Sequence, residues 1–236
     1  MEILSFAFLA ILIGARHGMD SDHVAAIADM VGSEGNKSRQ ISLGIMYALG
    51  HGLIVFLIGL LTLFVGARLP KGAQNSIEML VAITLLLLGG FIIYSIFKNR
   101  NSFEPKGRFT MMYDGLTSIA KRFGFSGRKK ISPLKIGIIG AFLIGVIHGI
   151  GVESPTQIAA ITSAGGFDSI AAATAQLVLF VVGLLISTIL MTFLISWGFM
   201  KSRLKRQIFI ALGSVTGLYS IILGSAMIAE LVGGGI

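Results

Sequence analysis

The sequence predicts an all-α integral membrane protein of about six transmembrane helices, arranged as two inverted three-helix repeats with helices one and four broken. Three observations predict it. Apolar residues make up 54% of the 236 and charged residues only 13%, with a mean hydropathy of +0.87, whereas soluble domains carry about 25% charge. Several apolar stretches exceed the roughly 20 residues that cross a ~30 Å hydrocarbon core. The chain also matches itself at a shift of about 131 positions, which is the mark of an internal repeat.

Spans fall at about 3–31, 42–67, 76–98, 133–165, 168–200 and 207–232. Several are longer than a perpendicular helix needs; tilt, interfacial ends or breaks absorb the excess. The start, Met1-Glu2-Ile3-Leu4, carries an acid and no base, against a cleaved leader. Of the nineteen Lys and Arg, sixteen lie in the loop after span one (Lys37, Arg39), the segment around 99–132, or the loop after span five (Lys201 to Arg206). The opposite side has only Arg68 and Lys71, and Arg16 lies inside span one. The positive-inside rule then puts both termini outside and loop 99–132 in the cytoplasm of a multi-pass plasma-membrane protein. The net charge of +8 thus reflects topology and the lipid bilayer, not a nucleic-acid partner. Within the loop, Phe109, Met112, Leu116, Ile119 and Phe123 recur at helical spacing, which predicts a short interfacial helix.

The chain accordingly divides into a first three-helix repeat (1–98), the basic loop (99–132) and a second three-helix repeat (133–236). Under the shift, Ala10-Ile-Leu-Ile-Gly-Ala-Arg-His17-Gly lies on Ala141-Phe-Leu-Ile-Gly-Val-Ile-His148-Gly, Asp22 meets Glu153 and Gly52 meets Gly183. Three spans per repeat is an odd number, so the second repeat enters the membrane upside down. Many secondary transporters have this plan, with the site near midplane between the repeats.

Ionisable groups in a membrane cost about 2.5–3.5 kcal/mol each on insertion scales and by default mark a polar cavity or ion pathway. Span one carries Arg16, His17, Asp20, Asp22, His23 and Asp29; span two carries His51; span four carries His148 and Glu153. All four histidines fall in spans. Imidazole with carboxylate suits nickel, cobalt, zinc or manganese. On a regular helix His17, Asp20 and His23 share one ~120° arc and Asp22 points away; unwinding at Gly14 or Gly18 brings Asp22 in. Gly145, Gly149, Gly151 and Pro155 predict a second break, in a segment whose Ser154, Thr156 and Gln157 suit a pathway and not a lipid face. The blander readings are an interhelical hydrogen-bond network for His17, Asp22 and His23, a core histidine at His51 and a packing role for Met19. Asp29 reads as a solvated terminus, Arg16 as a neutralising or snorkelling base, and Glu78 and Glu230 as interfacial.

His17-Gly-Met-Asp-Ser-Asp22-His23 resembles the His-x4-Asp-His signature of the nickel/cobalt transporter family, with Arg16 before it and Val24-Ala-Ala-Ile27 after it also similar. Leu49-Gly-His51-Gly resembles that family's Leu-Gly-His-Ser motif, with Gly52 in place of serine, and Gly149-Ile-Gly-Val-Glu153-Ser-Pro-Thr-Gln157 resembles a later one. The family's classical members have eight spans with the signature in the second. This chain resembles a short six-span member, similar to those found with urease genes. The resemblance implies nickel or cobalt as the transported ion, no other cofactor, and functional roles for His17, Asp22, His23 and His51, with His17 and His23 the leading ligands. It leaves import and export both open.

The expectation is therefore a secondary transporter with a metal site at His17, Asp20, Asp22, His23 and His51, and His148, Glu153, Ser154, Thr156, Gln157 and Arg16 along the pathway. One repeat would rock against the other. No Walker motif marks an ATPase in this chain, and homo-oligomerisation stays open. Competing readings are metal efflux, an oxyanion carrier and a bis-histidine haem electron carrier using His17 and His148. A metalloprotease lacks its His-Glu-x-x-His, and the lack of cysteine excludes disulfides, zinc-thiolate and iron–sulfur sites.

Overall fold

The computed structural model describes residues 2–32, 34–65, 71–98, 133–150, 170–202 and 206–233. The described residues are helical almost throughout: α1 (Glu2–His17), α2 (Ser21–Gly32), α3 (Lys37–Val65), α4 (Lys71–Lys98), α5 (Pro133–Gly149), α6 (Ile170–Ser202) and α7 (Arg206–Gly233). The interfacial helix expected in loop 99–132 lies outside the described residues, as does everything between 151 and 169.

Four of these helices are long and apolar enough to cross a membrane, over Lys37–Phe64, Asn75–Tyr94, Ile170–Ser202 and Ile210–Gly233; Ser5–His17 and Gly137–Gly149 are apolar but shorter. The exterior explains the composition. Along α3, Leu49, Leu53, Leu57, Leu61 and Phe64 recur every three or four residues and are all exposed, an apolar stripe that water would penalise and lipid accepts. The inward face of α6 is instead lined by Ser187, Thr188, Thr192 and Ser196, all buried. The hydroxyls of Thr188 and Thr192 donate to the carbonyls of Leu184 and Thr188, one turn back, so they are satisfied without water.

Span one is two helices. The amide of Gly18 still donates to the Gly14 carbonyl, but those of Met19 and Asp20 step back only three residues, to Arg16 and His17. This tight turn ends α1, and α2 resumes when Val24 donates to Asp20. Gly18 permits the turn in its crowded setting: a Cβ there would strike the Ser187 side chain and lie 2.8 Å from the Leu184 carbonyl.

The two pieces take different places. α1 packs on α6, whereas α2 touches α3, α4, α6 and α7. Every α2 residue from Ala25 to Gly32 is buried, and Ala25, Ala26, Ile27, Met30 and Val31 form a core with Leu43, Tyr47, Leu85 and Ala141. Asp29, expected as a solvated terminus, is 0% exposed, because α2 is enclosed on all sides. Beyond α2, the Gln40 side chain donates to the Glu34 carbonyl at 2.8 Å and accepts from Ser196 at 2.7 Å, tying the start of α3 to α6.

Glycine brings the main helices together. A Cβ on Gly14 would fall on the Phe180 carbonyl of α6, and one on Gly145 would fall on the Tyr47 carbonyl of α3. Likewise Gly183 of α6 lies against Ile11 of α1, and Gly50 of α3 against Phe142 of α5. Gly14 with Gly145, and Ile11 with Phe142, are partners in the sequence shift. The shift paired Gly183 with Gly52, but in packing its counterpart is Gly50, because the second helices match two residues out of register. Small residues let backbones approach this closely, and in lipid that van der Waals contact drives association.

Candidate metal centre

The turn at 18–20 builds the centre. By ending α1 it leaves the His17 carbonyl without its usual helical donor, and the His23 Nδ1 takes that place at 2.8 Å. A carbonyl only accepts, so Nδ1 of His23 carries a proton, and in the neutral ring Nε2 is the nitrogen that presents a lone pair. The His17 Nδ1 faces the Asp20 carboxylate at 3.0 Å, so Nε2 is the nitrogen that could take an ion. Metal-binding histidines almost always hold their second nitrogen this way, against a carbonyl or carboxylate.

His51 completes the group from α3. Its ring lies 4.4 Å from that of His23 and 5.5 Å from that of His17, centroid to centroid. One ligand atom from each of the three lies within 4.8 Å of the others. Metal–nitrogen bonds of about 2.0–2.1 Å imply nitrogens about 3–3.5 Å apart, so an approach of about an ångström would close the set on an ion. His51 is fully buried, and neither ring nitrogen reaches hydrogen-bond geometry with any described residue, although the Gly145 backbone is close. Burying such groups unpaired costs about 1–3 kcal/mol each; a metal ion would remove that cost for the nitrogen it takes.

Asp22 joins as the broken helix allows. Its carboxylate lies 3.5 Å from the Nε2 of His23, the next residue of α2, and the break lets it line the same cavity as His17 and Asp20, across the turn. Asp20 faces the His17 Nδ1 and Asp22 the His23 Nε2, so the two acids are not equivalent. We expect Asp20→Ala to weaken metal binding about 10–100-fold, the usual loss for a supporting group, with ligand number unchanged by X-ray absorption.

His148 is placed differently. Its Nδ1 faces the Tyr47 hydroxyl at 3.2 Å and its Nε2 faces the Thr84 hydroxyl at 3.1 Å. The Thr84 hydroxyl also donates to the Val81 carbonyl at 2.7 Å, so it accepts from His148, and Tyr47 donates. With both nitrogens engaged and its ring 6.5 Å from His23, His148 borders the centre without offering it a lone pair. The same occupancy deprives the haem reading of an axial ligand. Tyr47 and Thr84 were not singled out by sequence; the available signal was Tyr47, a hydroxyl-bearing aromatic one helical turn before His51.

Arg16, His17, Asp20, Asp22, His23 and His148 all line one cavity of about 610 Å³. Met19 is half exposed at the turn. Glu153, Ser154, Thr156 and Gln157 lie outside the described residues.

Helices with a lipid-compatible exterior, which converge buried imidazoles and flanking carboxylates on an internal cavity, define a multi-pass membrane protein built to handle cations. The comparisons make the class specific. The family model of the high-affinity nickel-transport proteins, NicO, matches residues 3–234, and the chain belongs to that family, one of transporters and not of enzymes. It is 23% identical over 225 residues to the urease accessory protein UreH of Bacillus sp. (strain TB-90), covering 95% of this chain and 90% of that one. It is also 23% identical over 245 residues to the cobalt transport protein NhlF of Rhodococcus rhodochrous, covering 94% and 69%. No solved structure matches.

Proposed function

We propose that this chain is a secondary transporter that takes up nickel or cobalt ions across the plasma membrane through a centre made by His17, His23 and His51, with Asp22 beside it. The observation that carries this is the convergence of three buried imidazoles, one of them unpartnered among the described residues, within 4.8 Å in an apolar helical body. Family membership and the cobalt transport relative support the choice of ion. Imidazole suits nickel and cobalt and does not favour magnesium or calcium.

The proposed topology has six spans, α1 with α2 counting as one, both termini outside and loop 99–132 inside. The inverted three-helix repeats, 1–98 and 133–236, are supported by the paired glycine contacts, in which the first helix of each repeat packs on the second helix of the other. This packing favours a different division of moving parts from the repeat-against-repeat rocking expected from sequence. α1 is locked to α6 and α5 to α3, so the bodies that move draw helices from both repeats. The ion is drawn inward by the membrane potential, worth ~2.3 kcal/mol per charge per 100 mV, and it competes with protons for its ligands.

Cells expressing the chain should accumulate radioactive nickel or cobalt above controls, and His17→Ala and His23→Ala should return accumulation to background at unchanged protein levels. Full uptake by both variants would sink the site assignment. Reduced metal content with the native chain would favour the efflux reading over import.

A further inference from the structure

The cavity reaches well beyond the histidines. Its far walls are Asn75 and Glu78 from the first turns of α4, and Met227, Glu230 and Leu231 from the last turns of α7. Glu78 is half-buried and Glu230 exposed. Sequence reading put both at span ends as interfacial residues; they also border the cavity that ends on His17 and His23. Among the described lining residues the permanently basic one is Arg16, set against the carboxylates of Asp20, Asp22, Glu78 and Glu230. The N-terminus of α2 also faces it, and Asp22 in that first turn offsets the partial positive charge.

A second observation is independent of charge. Behind the floor lies His51, 0% exposed and with no hydrogen-bond partner among the described residues, its ligand atom converging with those of His17 and His23. The cavity therefore ends on groups suited to a cation. Its exposed lining residues Asn75 and Glu230 stand where α4 begins and α7 ends, the side that carries only Arg68 and Lys71 between spans. In the topology proposed above this is the outer side.

We propose that the cavity is an outer vestibule in which Glu78 and Glu230 gather hydrated divalent cations and deliver them to the histidine centre. This rests on the transport reading above. The two glutamates act at a distance from the final ligands, so they govern capture at low metal and not the saturated rate. Carboxylates inside low-dielectric walls focus the field and raise local cation concentration and on-rates, by 10-fold to 10³-fold where the charge is extensive. Two partly solvated groups belong at the lower end of that range.

The test uses two readouts. The paired variant Glu78→Gln, Glu230→Gln should lower uptake about three- to tenfold at subsaturating nickel and leave it unchanged at saturation. Aspartate at both positions should restore it, and high ionic strength should shrink the difference. Because the chain has no cysteine, Asn75→Cys supplies a single thiol at an exposed site in the vestibule. In intact cells it should react with a cationic, membrane-impermeant methanethiosulfonate faster than with an anionic one, and the paired glutamine variant should erase that preference. Equal rates, or no reaction from outside, would overturn the proposal, as would an unchanged dependence of uptake on metal concentration. If His51→Ala stops uptake while the glutamine pair changes neither readout, the vestibule fails and the transporter stands. If the native chain moves no metal but keeps the thiol preference, the transport reading fails and the cation-gathering cavity remains.

Discussion

His51→Ala should abolish nickel and cobalt uptake, while His148→Ala should leave a measurable fraction. The two histidines are equally buried, and the sequence repeat would favour His148 as the mate of His17. The difference lies in what their nitrogens do. His148 is held on both sides by Tyr47 and Thr84, so its loss removes two hydrogen bonds that net about 0.5–1.5 kcal/mol apiece and leaves two hydroxyls to find other partners. Neither ring nitrogen of His51 reaches hydrogen-bond geometry with a described residue, and His51 adds the third imidazole. Losing one of three histidine ligands costs more than losing a supporting group, so we expect binding to weaken by well over 100-fold. Metal-stabilised melting in detergent separates the two: the native chain and His148→Ala should gain stability with nickel, and His51→Ala should not. A nickel-induced shift retained by His51→Ala would contradict the three-histidine centre.

Gly145→Val should cost the most in folding. A Cβ there meets the Tyr47 carbonyl and comes within 3.0 Å of the His51 amide. Backbone cannot rotate aside as a side chain can, so α5 must move off α3. That takes at least the ~1–3 kcal/mol of an overpacked core, and it displaces Tyr47 and His51 together. Gly90→Ala is the control, since nothing lies within 4 Å of its Cβ; relief of glycine's helix penalty favours it by up to about 1 kcal/mol. Thermal unfolding in detergent should show Gly145→Val far below the native chain and Gly90→Ala level with it or above. Equal stability of all three would mean that the α3–α5 contact is not backbone on backbone.

Much of this was legible in the chain itself. The apolar runs announce helices that need no water, and Gly18 inside a charged heptad announces a break. The signature His17-to-His23 carries both the proposed ligands and the means of folding them together. What was hidden depends on pairing across distance. The partners of His148 come from α3 and α4, so no local spacing could reveal that it is satisfied. Glu78 and Glu230 are far apart in sequence and sit where a carboxylate would ordinarily rest at a membrane surface; only the approach of α7 to α4 turns them toward one cavity. Asp29 was misjudged because charge near a span end usually signals solvent, and the short α2 lies inside the bundle.

The crossed glycine contacts also bear on how the chain is made. α1 leaves the ribosome well before α6, yet the face containing Gly14 fits that later helix, more than 150 residues on. Until α6 arrives, that face has only lipid or provisional neighbours. Closure of the site is thus tied to the insertion of α6: His17 sits at the end of a helix that is not anchored until that partner arrives. An interrupted synthesis would leave the histidines uncollected, so a half-made protein would not hold an open metal pore in the membrane.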